Sequence, residues 1–122
     1  MKSLLTFTAL VEGATGLALL IMPAVVVSLL LGVPLTEPGG NLIGRMGGAA
    51  LITLAIGCWL SKNDSKISIV VIKALVVYNI LAALLLAYGG LIQHFSGIGL
   101  WPALLLHAVL LIWCLQSLRI KL

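Results

Sequence analysis

This 122-residue chain carries a few polar side chains inside long apolar runs, and these are the residues that could do chemistry. A charged group inside a membrane is costly, so it usually faces the protein interior, is paired and serves a function. Carboxyl, imidazole, phenol and amide groups can exchange protons or bind the polar part of a ligand. The candidates for a ligand or proton site are Glu12, Arg45, Lys73, Tyr78, Asn79 and His107.

The depths of the charged candidates predict that they meet. Glu12 lies roughly 12 Å into the first apolar run at the rise of a helix, and Lys73 lies roughly 9 Å deep from the same side. We therefore expect an ion pair between them, with Arg45 as the competing partner of Glu12. His107 lies roughly 10 Å deep from the opposite side of the membrane.

Tyr78 and Asn79 lie near mid-depth in the third apolar run, so all six candidates can form one polar cluster. Two interpretations stay open: a proton or ligand site, and a buried polar network that fixes the helix register. They are equally favoured for Glu12. A structural role is favoured for Lys73, whose long stem can also extend to the membrane surface, and for His107.

Composition excludes the classes of soluble protein. The chain is 62% hydrophobic and 8% charged, whereas an ordinary soluble domain is about 25% charged. A soluble fold of this length could not hide so much apolar surface. The seven Lys and Arg residues are scattered singly and form no basic stripe, so no nucleic-acid partner is expected. The lipid bilayer is the expected surrounding.

No catalytic constellation is present in the sequence. There is no Gly-rich phosphate loop, no serine nucleophile with a partner and no carboxylate pair, so we expect no catalytic residue, no metal site and no cofactor. Cys58 and Cys114 each adjoin a tryptophan inside an apolar run. Buried small hydrophobes are the favoured interpretation for them, and a redox pair is the alternative.

Four apolar segments are long enough to cross the hydrocarbon layer, which takes about 20 residues. They run over about 4–22, 42–60, 67–91 and 100–118, and residues 23–32 form a fifth apolar stretch that is too short to span. This stretch either continues the first helix beyond a kink or forms a short re-entrant or interfacial helix. We predict an all-α fold, a four-helix membrane bundle in a single transmembrane domain over 1–122.

The basic residues predict the orientation. Five of them, Lys2, Lys62, Lys66, Arg119 and Lys121, fall on the side that holds both termini, and Arg45 alone falls on the other. By the positive-inside rule, both termini face the cytoplasm. Tryptophans near the helix ends agree with this topology. A multi-pass protein of a bacterial inner membrane is the expected localisation.

Small residues mark one face of the first two spans, where close approach of helix backbones is favoured. The first span has Ala9, Gly13 and Gly16, and the second has Gly44 and Gly48. Packing within one chain is the favoured interpretation of this face, and oligomerisation is the alternative.

The first half of the chain resembles the DoxX-like superfamily of small bacterial four-helix membrane proteins. The resemblance rests on Glu12-Gly13-x-x-Gly16-Leu17, Pro23, Leu31-Gly32, Gly44-Arg45-x-Gly47-Gly48-Ala49-x-Leu51 and Gly57. Some members of that superfamily are subunits of membrane redox complexes that deal with quinones. The resemblance implies a non-enzymatic accessory subunit that binds a small hydrophobic ligand, quinone or lipid, with Glu12 and Arg45 as the positions of interest.

The chain is also similar to the small multidrug resistance family, which has four helices and a membrane-embedded glutamate in the first. That similarity implies a proton-coupled transporter that uses Glu12. Lys73 departs from the pattern because a membrane cation repels a cationic drug, and the strong charge bias disfavours dual insertion. In either case a membrane-protein partner or a second copy of the chain is the expected protein partner.

Overall fold

The computed structural model describes residues 1–120, and within that range the chain is all-helical with no strand. Its five helices, in chain order, are α1 (Lys2–Ile21), α2 (Pro23–Leu31), α3 (Pro38–Ser61), α4 (Ser65–Leu91) and α5 (Leu100–Arg119). All but α2 are long and apolar enough to cross a membrane. The all-α prediction is confirmed, and so is the prediction of four helices with the length and composition of membrane spans.

The apolar stretch after the first span is a separate short helix. Met22 departs from helical geometry (φ −134°, ψ 62°), and Pro23, which has no N–H, occupies the first turn of α2. At nine residues, α2 is about 13 Å long and cannot span. It ends at Gly32, whose φ of 72° lies in the left-handed region that glycine adopts without strain.

The third helix begins earlier in the chain than the expected start near Leu42. Pro38 occupies its first turn, and the N–H of Asn41 bonds to the carbonyl of Glu37 at 3.0 Å, so Gly39 and Gly40 belong to the helix. A proline pre-organises the backbone at a helix start, which outweighs the helix-breaking tendency of the glycines that follow.

Helix α4 begins at a side-chain cap. One carboxylate oxygen of Asp64 accepts hydrogen bonds from the backbone N–H groups of Lys66 (2.9 Å) and Ile67 (3.1 Å). These are orphan donors of the first turn, so the cap fixes where the connection from α3 ends. At the other end, Gly89 and Gly90 belong to the last turns of α4.

The helices associate chiefly as two pairs, α1 with α3 and α4 with α5. Gly16 of α1 and Gly48 of α3 face each other so closely that a Cβ on Gly16 would lie 2.7 Å from the Gly48 carbonyl oxygen, and one on Gly48 would lie 2.6 Å from that of Gly16. The small-residue face therefore packs helix against helix within the chain, as the favoured interpretation predicted. Close backbone contact stabilises helix pairs in lipid, where burial of apolar surface gives no driving force.

A core at one end of the molecule joins the two pairs. It takes side chains from the first turns of α1, the end of α3, the start of α4 and the end of α5: Leu4, Leu5, Ala9, Cys58, Ile72, Leu75, Leu110 and Cys114. Both cysteines are buried there as part of this apolar cluster. Beyond the core, α2 packs against α1, α3 and α5.

Candidate functional site

A cavity of about 440 Å³ lies between the two helix pairs, next to the apolar core. All five helices contribute to its wall, and most of the lining is Leu, Val and Ala. Four lining residues carry polar side-chain atoms, namely Glu12, Thr15, Tyr78 and His107. The cavity therefore combines apolar walls with a small polar group of residues, the usual composition of a small-molecule site.

Glu12 contributes the acidic side chain of this polar group. Its side chain is 3% exposed. The hydroxyl of Tyr78, on α4, donates a hydrogen bond to Oε2 of Glu12 at 3.2 Å. A carboxyl buried in an apolar wall needs such a partner, because burying an unpaired polar group costs several kcal/mol.

Asn79 and His107 form the second polar contact. Oδ1 of Asn79 lies 2.9 Å from Nδ1 of His107, and Nδ2 of Asn79 donates to the carbonyl of Leu75 at 2.8 Å. The rings of His107 and Tyr78 meet edge to face, with centroids 5.5 Å apart and planes at 81°. The phenol thus links the Glu12 carboxyl to the imidazole, and both polar contacts serve one cavity.

Four of the six predicted site residues therefore come together, and two do not. Lys73 is exposed on the outer face of α4. Arg45 is exposed on α3, and its Nη1 donates to the backbone carbonyl of Leu20. The expected ion pair of Glu12 with Lys73 or Arg45 does not form: Tyr78 is the hydrogen-bond partner of the Glu12 carboxyl, and both cations are exposed.

The hydrogen bond from Arg45 to the Leu20 carbonyl explains where the arginine side chain lies. Leu20 is in the last turn of α1, where Met22 and Pro23 break the helix and leave carbonyls without helical partners. A cationic side chain at a helix C-terminus satisfies such a carbonyl and interacts favourably with the helix dipole. Arg45 thus stabilises the junction between α1 and α2, outside the cavity.

Sequence reasoning missed Thr15 and the whole contribution of α2. Thr15 follows Glu12 by three positions, which places both on the same face of α1, so the helical period was an available signal. Val26, Leu29 and Leu30 line the cavity from α2. Their apolarity indicated burial or lipid contact, but no local pattern shows which helices a short segment will pack against.

The loop between α4 and α5 holds α2 in this place. The N–H of Gly99 bonds to the carbonyl of Leu29 at 2.8 Å, and the N–H of Ser96 bonds to that of Leu31 at 3.3 Å. These bonds satisfy carbonyls at the end of α2 that have no partner in their own helix. Gly97 lies against the Leu30 backbone with no room for a Cβ.

Within residues 1–120, no three His, Cys, Asp or Glu side chains are grouped so that they could hold a metal ion. The polar residues of the cavity can instead donate, accept or exchange protons with a bound molecule. Fold and cavity together define an all-helical protein with four helices able to span a membrane and a mainly apolar site between them.

Comparisons with protein-family models, with curated proteins and with solved structures give no match to the chain. The class of the protein therefore rests on its helices and its cavity alone.

Proposed function

We propose that this protein is a small multi-pass protein of a bacterial inner membrane that binds a small hydrophobic ligand, a quinone or a lipid, in the cavity between its helix pairs. It acts without catalysis, as an accessory subunit related to the DoxX-like superfamily. Glu12, Tyr78 and His107 form the polar part of the site, and Asn79 hydrogen-bonds to His107. The observation that carries the proposal is the mainly apolar cavity in which these polar groups are gathered.

The size and lining of the cavity support a ligand of this kind. Its volume of about 440 Å³ falls in the range of about 300–1,000 Å³ that is typical of small-molecule sites. Apolar walls favour a hydrocarbon or ring system, and a few polar groups suffice to orient its head group.

The proposal includes a four-helix bundle with both termini in the cytoplasm. The excess of Lys and Arg on the side of the termini supports this orientation. A periplasm-active reporter fused after Leu122 should be inactive, and the same reporter inserted between α4 and α5 should be active. The reverse pattern would overturn the orientation.

Native mass spectrometry of the protein, extracted gently from its own membrane, tests the ligand. We expect an added mass of a small apolar molecule, with or without a larger membrane-protein partner. Ala82 lines the cavity from α4, so Ala82→Phe should abolish the added mass. Ala74→Phe is the matched control, because Ala74 is exposed on the same helix and its replacement should leave the ligand bound.

Equal retention of ligand in Ala82→Phe and in Ala74→Phe would show that the ligand binds elsewhere. A wild-type protein that carries no small molecule and takes up none of the quinones or lipids offered to it would overturn the proposed function.

A proton-coupled transporter is the second candidate, and the position of Glu12 favours it. The carboxyl lies on the cavity wall, whereas Lys73 is exposed on the outer face of α4 and does not obstruct a cationic substrate. Glu12→Gln tests this candidate well, since the amide oxygen of Gln can still accept from Tyr78 and keep the fold. Proton flux driven by cationic drugs in proteoliposomes should disappear in this variant if the protein is a transporter.

A further inference from the structure

The orientation of Asn79 in the structure is fixed by the helix that carries it. The carbonyl of Leu75 can only accept a hydrogen bond, so the Asn79 atom 2.8 Å from it must be the amide nitrogen. Oδ1 of Asn79 is then the atom that faces His107 at 2.9 Å. The contact with Leu75 thereby removes the usual ambiguity between the two ends of an amide side chain.

The orientation of Asn79 in turn fixes which nitrogen of the imidazole carries the proton. Oδ1 of Asn79 can only accept, so Nδ1 of His107 must carry the proton and donate it. No carboxylate is among the described hydrogen-bond partners of His107. No neighbouring negative charge therefore favours a doubly protonated ring. A neutral imidazole has one N–H, and its other nitrogen, Nε2, is an acceptor.

Nε2 of His107 has no partner in the described part of the chain, yet it is not sealed in the protein. In the described part of the chain, one buried side-chain polar atom lacks a hydrogen bond, and it is the hydroxyl oxygen of Thr8. Nε2 is absent from that class, so this nitrogen keeps accessible surface, and His107 is one of the residues that line the cavity. The Tyr78 hydroxyl cannot supply the missing donor because its proton is given to Glu12.

We propose that the cavity selects small apolar molecules that carry a hydroxyl group, and that this hydroxyl donates a hydrogen bond to Nε2 of His107. The inference rests on the proposed function and narrows its ligand to an apolar alcohol or phenol: among the ligands proposed above it favours a hydroxyl-bearing lipid or the reduced quinol, and it disfavours the oxidised quinone, whose carbonyls only accept. A ligand that offers only acceptors, such as an ether or a ketone, would displace water from Nε2 and leave the nitrogen unpaired. Such a mismatch lowers affinity by roughly tenfold to a hundredfold.

The first experiment reads the imidazole directly. His94 and His107 are the two histidines of the chain, and His94 is exposed in the loop after α4, so the His94→Ala variant gives the spectrum of His107 alone. With ¹⁵N-labelled histidine in lipid nanodiscs, we expect a protonated Nδ1 and an unprotonated Nε2. Asn79→Ala removes the acceptor and should give a mixture of the two tautomers.

The second experiment uses a matched pair of probes, 4-tert-butylphenol and 4-tert-butylanisole, which differ in that a methyl group replaces the donating hydrogen. The phenol should shift the Nε2 resonance in a saturable way, and the ether should bind at least about tenfold more weakly. In Ala82→Phe neither probe should change the His107 signals, which separates binding in the cavity from partition into the lipid.

The outcomes separate the inference from the function on which it rests. A protonated Nε2 in the wild-type protein overturns the inference, whatever binds. Equal binding of phenol and ether also overturns it, while the cavity stays a ligand site. If neither probe changes the His107 signals at any concentration, the inference fails, while native mass spectrometry of the wild-type protein decides the ligand-binding function separately.

Discussion

The hydroxyl of Tyr78 and the carboxyl of Glu12 meet at 3.2 Å, across 66 positions of the chain. Tyr78 belongs to α4 and Glu12 to α1, so this hydrogen bond connects the two helix pairs inside the cavity. An apolar core at one end also joins the two pairs. The bond therefore stabilises the cavity and also forms part of its polar lining.

Tyr78→Phe removes this bond and leaves Oε2 of Glu12 without its donor. We expect a loss of about 1–3 kcal/mol in the free energy of unfolding, the usual effect of an unsatisfied buried polar group. Tyr88→Phe is the control, since Tyr88 is exposed near the end of the same helix, and it should change little. Unfolding in mixed micelles measures both variants. Equal stability of Tyr78→Phe and the wild type would show that the bond contributes nothing.

Gly16→Ala tests the close approach of α1 and α3. The added Cβ would lie 2.7 Å from the carbonyl oxygen of Gly48 and 2.9 Å from the backbone nitrogen of Ile52. Because backbone atoms cannot yield without separating the helices, we expect a destabilisation of about 1–3 kcal/mol. Gly57→Ala on α3 is the control, as a Cβ there meets no atom within 4 Å. Thermal unfolding in detergent should separate the two variants clearly.

Arg45→Met and Lys73→Met distinguish a helix cap from an unpaired surface cation. The first removes the donor to the Leu20 carbonyl and should destabilise the protein by about 1–2 kcal/mol. The second changes an exposed residue and should stay within about 0.5 kcal/mol of the wild type. Chemical unfolding in mixed micelles measures both. A larger effect of Lys73→Met would contradict the placement of Lys73 outside the polar cluster.

Gly97→Ala tests whether the loop after α4 holds α2 in place. The new Cβ would collide with the Leu30 backbone, so the hydrogen bond from Gly99 to Leu29 should break. We expect a destabilisation of roughly 3 kcal/mol and faster amide exchange at the end of α2. Gly39→Ala, in the open first turn of α3, is the matched control. Unchanged exchange in Gly97→Ala would mean that the loop does not restrain α2.

The sequence by itself determined the helices that can span a membrane, and it placed Glu12, Tyr78, Asn79 and His107 inside them. Spans depend on length and hydropathy, which are local properties of a segment. The sequence also indicates in part that Lys73 lies outside the polar cluster. At about 100° per residue, Lys73 and Tyr78 lie about 140° apart around α4, so the two side chains cannot share a face.

Only the tertiary structure decided which polar groups meet. Depth along a helix fixes one coordinate of a side chain, but contact also requires the rotation of each helix and the choice of its neighbour. These are set by packing, such as the approach of Gly16 to Gly48 and the capping of α1 by Arg45. That packing gave Glu12 a phenol as its partner instead of a cation. It also left a cavity between the helix pairs, which no single segment of the sequence encodes.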